Sequence, residues 1–356
     1  MATSSTILKA TATSDEQTIH ADSSVSYSSA IIGFDNIESA LSPVDASVSQ
    51  SSSQSDVNML HLELLHHMSS TTWKDIAPGG THSKVKFDAG MKIALGAPFL
   101  MYELLAVSAL HLSTLRLAQQ ESYRSEASNL QKKALSMFNN LNDRWISENT
   151  IPTFLFSAFV GIHVIFDTLL FHPSDFSVFI ENFVEHLRLH RGVYTVLGGS
   201  WNILLESEIA PMLRTSDRTQ CQISSHNECG PLKALIQAGN LSQAAIKICI
   251  QEVERLQWVF DSSREDEESI DGYMEADLTF TWPSTVSIEF TELLLQRRPE
   301  ALAILAHYAV ILHWKRNLWI VKDGGIFLIE AIMRHLGSYW EPWLDFPARE
   351  ILAGSK

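Results

Sequence analysis

His186 and His190 stand four residues apart in a segment of helical periodicity, a spacing at which two imidazoles on one helix face can share a metal ion. The metalloprotease form of that pattern needs a Glu directly after the first His to serve as base, and Leu187 holds that place. The pair is therefore read as two histidines at a helix surface or partner contact. Cys221 and Cys229 bracket His226, but their separation matches no zinc-site spacing, so they are read as loop cysteines and Cys249 as a core cysteine. His61, His66 and His67 cluster on one short helix, where capping, packing or surface roles are expected. The pairs Gly79-Gly80, Gly198-Gly199 and Gly324-Gly325 lack the Lys-Ser/Thr that grips phosphate, and no Gly-x-Ser-x-Gly elbow occurs. Glu267-Glu268 lies in a hydrophilic stretch where burial would not tune a carboxyl. The expectation is a chain with no catalytic residues, no metal and no cofactor.

Aromatic residues are the stronger signal. Trp282, Trp314, Trp319, Trp340 and Trp343 crowd the last quarter, with Phe290, Tyr308, Phe327 and Tyr339 among them. Core packing is the ordinary reading, and a core of this kind can also hold a greasy cavity for a flat, lipid-like molecule. The turn Lys322-Asp-Gly-Gly-Ile326 separates two apolar helices, and its glycines would let the backbone swing or approach a ligand closely. An ordinary interhelix turn is the other reading. Trp314, Trp319, Asp323, Gly324, Gly325 and Phe327 are accordingly the ligand-pocket or hinge candidates. On this reading Gly325→Asp changes regulation or ligand affinity more than fold stability.

Helices must position these residues. Pro299 suits a first helical position and Glu300 suits the positive end of a helix dipole. The stretch that follows to Val321 is apolar nearly all round, which marks a central helix. Helical spacing also predicts Met59–Thr72, Phe99–Leu117, Tyr123–Trp145, Ile151–Leu170, Ser174–Val196, Trp201–Met212, Leu241–Phe260, Ser284–Gln296 and Ile326–Leu336, with a short turn after Trp343. Arg214–Pro231 and Asp261–Asp271 read as loops. Alternation of period two never persists, so the fold class is all-α, a single large multi-helix domain over 58–356. The preceding residues 1–57 are rich in Ser and Thr, with a low-complexity run at 47–56, and are expected to be a disordered tail or linker.

The formal net charge of -15 argues against a surface built to grip nucleic acid, and no direct nucleic-acid contact is expected. Three cysteines imply no disulfide framework and a reducing compartment. Ile151–Phe166 falls short of the ~20 apolar residues a spanning helix needs and is read as a buried core helix, so no membrane span is expected.

An ordered series of short motifs carries a family resemblance: Leu62-Glu-Leu-Leu-His-His67, Ala109-Leu-His-Leu-Ser113, Leu189-His-Arg-Gly-Val193, Trp282-Pro283, Pro299-Glu-Ala-Leu302, Ala306-His-Tyr-Ala309 and Trp340-Glu-Pro-Trp343. Together they resemble the regulatory domain of fungal zinc-cluster (Zn2Cys6) transcription factors, the sterol-uptake-control branch in particular, over nearly everything from Asn58 onward. The resemblance implies an all-α domain that receives a hydrophobic, sterol-like ligand or is controlled through partner contacts. It implies action in the nucleus on transcription, in control of a lipid or secondary-metabolite gene set, with homodimers or pairing with a DNA-binding factor. Such factors read DNA through an N-terminal cluster of cysteines, whereas the first cysteine here is Cys221. The expectation is a regulator without its own zinc cluster. The alternatives are a full activator whose cluster is encoded upstream, and a helical enzyme or carrier of a biosynthetic pathway.

Overall fold

A computed structural model describes residues 57–76, 80–171, 175–197, 201–207, 209–210, 227–265 and 275–353. The expected tail (all but Val57), the stop at Gly198-Gly199, most of the Arg214–Pro231 loop and the Glu267-Glu268 pair lie outside these residues. Helices are the regular elements of the described residues, joined by turns, with no strand among them. In chain order the helices are α1 Met59–His67, α2 Trp73–Ile76, α3 Gly80–Gly96, α4 Pro98–Leu115, α5 Gln120–Asn139, α6 Asp143–Glu148, α7 Thr150–Leu170 and α8 Phe176–Leu197. They continue with α9 Trp201–Leu205, α10 Gly230–Ala238, α11 Gln243–Glu265, α12 Glu275–Thr285, α13 Ile288–Leu295, α14 Pro299–Trp314, α15 Gly324–Leu336 and α16 Glu341–Ala353. A π-helical segment, Met68–Thr72, joins α1 to α2.

Two helices are buried on every side, and the rest arrange themselves around them. α4 is enclosed from Leu104 to Ser113 and packs against α1, α5 and α7. α14 is buried from Glu300 to His313 and packs against α15, α16, α11 and α13. α7 touches both neighbourhoods, meeting α4 on one side and α15 on the other. This is the central helix that the pattern after Pro299 predicts, except that it stops at Trp314 and the next residues form a chain of turns. Two helices, Pro98–Leu115 and Thr150–Leu170, are long and apolar enough to cross a membrane, so the α7 segment is longer than its apolar run implies. Both are mostly packed inside the fold.

Several elements differ from expectation. α3, α10, α12 and α16 stand where no helix, or only a turn, is expected. The Tyr123–Trp145 segment breaks at Asn142, whose side chain accepts the Trp145 N–H at 2.8 Å and starts α6. Asp261–Glu265 continues α11 instead of opening a loop. α12 contains Pro283, which cannot donate to the carbonyl four residues earlier. That carbonyl, on Thr279, accepts the buried Tyr308 hydroxyl at 2.9 Å. The Trp282 indole stacks on the same Tyr308 ring, with centroids 4.7 Å apart. The Trp-Pro dipeptide is thus seated by one tyrosine of the central helix.

Glu252 on α11 ties three elements together. It is fully buried, accepts the Ser287 hydroxyl at 2.7 Å and its N–H at 3.1 Å, and pairs with Arg255 at 2.5 Å. Ser287 in turn caps α13 by accepting the Phe290 N–H at 3.3 Å. Glu252→Ala strands these donors while the half-exposed Arg255 rehydrates. Urea unfolding is expected to show a loss of about 2 kcal/mol; an unchanged midpoint would refute the hub.

Candidate functional site

The segment Lys315–Asp323 between α14 and α15 forms a strap across the body. Its backbone bonds to itself: Leu318 N–H to Lys315 O at 2.9 Å, Val321 and Lys322 N–H to Leu318 O at 3.0 Å each, and Gly324 N–H to Val321 O at 2.8 Å. Leu318, Trp319, Ile320 and Val321 are all buried. Lys322 closes the strap with φ 42°, a left-handed conformation that a side chain makes costly and that surrounding packing must enforce.

Trp319 is the anchor. Its ring stacks on His111 of α4 at 4.6 Å and meets Phe166 of α7 at 5.3 Å. The indole N–H is buried and has no hydrogen-bond partner in the protein. His111 is held from its other sides by the π segment and α2. Its Nδ1 lies 3.0 Å from the Thr72 hydroxyl and its Nε2 lies 3.4 Å from Asp75. The His67 ring sits 5.0 Å away. The π turn places Thr72 and Trp73 both in the buried face, continuing the stripe begun by Leu64 and Met68. Burial, helped by the His67 and Lys322 charges, lowers the His111 pKa to about 4. A neutral imidazole wedged this way is a joint between elements, not an acid or base for chemistry near neutral pH.

The six residues singled out by sequence fan out from the strap. Trp314 turns away toward α16 and α11, donating from Nε1 to Glu350 at 2.9 Å and meeting Phe260 edge-on at 5.4 Å. Asp323 is exposed at the start of α15 and makes no side-chain cap. Phe327 packs edge-on against Phe179 of α8 at 5.3 Å. Trp319 and Gly324 come together over α7: a Cβ on Gly324 would lie 2.8 Å from Leu169 Cβ. Gly325 faces the α14 backbone, where a Cβ would lie 2.5 Å from His313 N and 2.7 Å from Ala309 O. The two glycines are the first residues of α15 in helical conformation, and both pack closely, Gly324 on α7 and Gly325 on α14.

Sequence reasoning gave no site role to His111, Thr72 or Asp75. His111 lies in an apolar helix and looked like core, and nothing in Met68–Thr72 announces a π turn. It also missed a buried chain between α4 and α7, where Glu103 and His163 pair at 3.4 Å and His163 reaches Asp167 at 3.7 Å. Cys229 stands in the turn that leads into α10, as a loop cysteine, but is buried there, and its N–H donates to Gln257 Oε1 at 2.9 Å. Burial pushes its thiol pKa up, and that of Cys249 up to about 12, so neither is a nucleophile. Among the described residues no three His, Cys, Asp or Glu side chains form a metal-binding group. The side chain of His190 lies outside them.

His307, in α14, is also neutral. Its Nδ1 lies 2.8 Å from Ala303 O, and burial lowers its pKa to about 4. Between the ordinary 6.5 and about 4 the unfolded chain binds protons that folded His111 and His307 refuse. Stability is therefore complete above this window and falls as pH drops through it, by roughly 1 kcal/mol per pH unit for each imidazole. Asp75 and Asp167, whose carboxyls burial pushes up, act in the opposite sense but are about half exposed. A pH series of urea unfolding should show this loss; a rise on acidification would contradict it.

What the helices and the strap define is an all-α body without a described catalytic constellation. Against known proteins, the chain is similar to a Zn(2)-C6 fungal-type transcription factor of Gibberella zeae, 25% identical over 332 residues that cover 83% of this chain. The chain spans 63% of that protein's length. No family model matches it, and no solved structure matches it.

Proposed function

We propose that this chain is a transcriptional regulator of the fungal zinc-cluster type, acting in the nucleus through its all-α body. The observation that carries this is the similarity to a Zn(2)-C6 fungal-type transcription factor over 83% of the chain. Its consistency with an acidic, helical body supports a regulatory role rather than phosphate gripping. On this reading DNA is reached through a paired DNA-binding factor, a second copy of the chain, or a zinc cluster outside these 356 residues.

The regulatory signal is a hydrophobic small molecule, sterol-like in shape, and the strap with Trp319 and Gly324 is the element it acts on. The strained Lys322 and the buried Trp319 indole N–H without a partner support a segment that a ligand or partner could stabilise differently. Control of lipid or secondary-metabolite genes follows from such a ligand.

A tethering assay tests the regulatory role. The full chain fused to a heterologous DNA-binding domain should raise or lower a reporter several-fold over the binding domain alone; unchanged output would count against it. Organic extraction of the purified chain tests the ligand: a stoichiometric apolar molecule is expected, and ligand-free protein with full reporter output would remove that part of the reading.

A further inference from the structure

Two features of the α4–α7 interface point to one occupant. The first is an apolar slot. Leu100 and Leu104 of α4 and Leu155 and Phe159 of α7 form its inner wall, and all four are buried. Phe87 and Met91 of α3 form its cover and are partly exposed. Between residues 84 and 96 of α3 the only buried apolar side chain is Ala94, so the cover is lightly held. The space among these side chains, mouth included, is about 290 Å³, yet so narrow that only about one water-sized sphere fits within it. Its lining offers water almost nothing to bond, and facing atoms across the gap forfeit dispersion contacts that an apolar guest would restore.

The second feature is polar. Glu103 stands beside Leu104 and one turn past Leu100, and His163 stands one turn past Phe159, so the two back the inner wall of the slot. Glu103 is 0% exposed and His163 1%. Neither Glu103 oxygen makes a hydrogen bond in the protein, and neither does either His163 ring nitrogen. Their separation of 3.4 Å exceeds the normal span of such a bond, and the other His163 nitrogen faces Asp167 at 3.7 Å. Buried polar atoms in this state cost free energy that a fitting partner recovers. A hydroxyl fits both, because it donates to a carboxylate and accepts from an imidazole N–H. A ligand carboxylate would instead set a second negative charge beside Glu103. We propose that the slot binds an apolar alcohol, its hydrocarbon part parting α3 from the α4–α7 wall and its hydroxyl reaching Glu103 and His163.

The inference rests on the hydrophobic ligand proposed above and gives that ligand a seat and a head group. It also gives the ligand a route to the strap. Trp73 of α2 lines the slot too, and the preceding residue, Thr72, lies 3.0 Å from the His111 ring on which Trp319 stacks. An occupant that shifts Trp73 therefore bears on the strap's anchor.

Equilibrium dialysis of the purified full chain tests it, with labelled decanol and cholesterol set against their anionic counterparts, decanoate and cholesterol sulfate. At least one alcohol should bind at one molecule per chain, and which of the two binds tells a linear skeleton from a polycyclic one. That alcohol should bind about tenfold or more tightly than its anion. Met91→Trp, at the partly exposed cover, fills the slot and should weaken binding about tenfold or more. Glu103→Gln keeps the shape and removes the charge, so it should shrink the preference for alcohol over anion. Thermal melts confirm that both variants are folded. Failure of both alcohols to bind the parent would overturn the proposal, as would an anion bound as tightly as its alcohol. Binding that survives Met91→Trp but falls in Trp319→Phe would also overturn it, while leaving the hydrophobic-ligand reading in place at the strap.

Discussion

Gly325→Asp is expected to leave the chain without a cooperative fold. A Cβ at this position would sit 2.5 Å from His313 N, 2.7 Å from Ala309 O and 2.9 Å from His313 Cα. All three are backbone atoms of α14, which is enclosed on every side and has no slack to yield. The aspartate adds a carboxylate beside a carbonyl oxygen in a dry interface. Even Gly325→Ala should lose about 3 kcal/mol, because the clash outweighs the helix-propensity gain of about 1 kcal/mol. Gly96→Ala is the control: it ends α3 with nothing within 4 Å of a new Cβ, and should be close to neutral. Circular-dichroism melts of the three variants decide it. A Gly325→Asp chain that melts like the parent would mean α15 does not cross α14 this closely, and would restore the hinge that the glycine pair suggests from sequence.

Trp319→Ala should cost about 3–5 kcal/mol, the usual range for emptying a buried aromatic site. The residue is 6% exposed and is the strap's main hold on α4 and α7. Trp319→Phe keeps a ring against His111 and gives up only an indole N–H that has no partner, so its loss should be far smaller. Removing the indole also lets water reach His111, so its depressed pKa should move back up toward 6.5. NMR titration of the His111 ring in Trp319→Ala and in the parent reads that environment directly. A Trp319→Ala chain as stable as its parent would mean the strap is not anchored there.

The core helices α4, α7 and α14 were legible because their burial is written in uninterrupted apolar sequence. Pro299 and Glu300 also mark where α14 begins. The missed helices share another feature: each carries a residue that sequence rules treat as punctuation. α3 has Gly90 inside it, α10 has Pro231 in its first turn, α12 has Pro283 and α16 has Pro342 and Pro347. Proline in a first turn costs nothing, and deeper in a helix its cost depends on what satisfies the freed carbonyl. For Pro283 the answer is Tyr308, which is distant in sequence, so no local pattern could have supplied it.

The candidate site shows the same division. The strap and its glycines could be singled out because they interrupt two apolar helices. Their partners could not, because His111, Thr72 and Leu169 come from α4, the π turn and α7. Only the folded packing brings an α4 histidine under a tryptophan more than 200 positions later. The functional reading rests on a different kind of signal, a likeness spread thinly along the chain rather than concentrated in a constellation.

Chromatin immunoprecipitation of the tagged full chain from its native cells tests the central claim most directly. A transcriptional regulator should enrich discrete promoters well above an untagged control, whether it reaches them through a partner or through a DNA-reading segment of its own. Enrichment indistinguishable from that control, with the protein expressed and folded, would contradict the account.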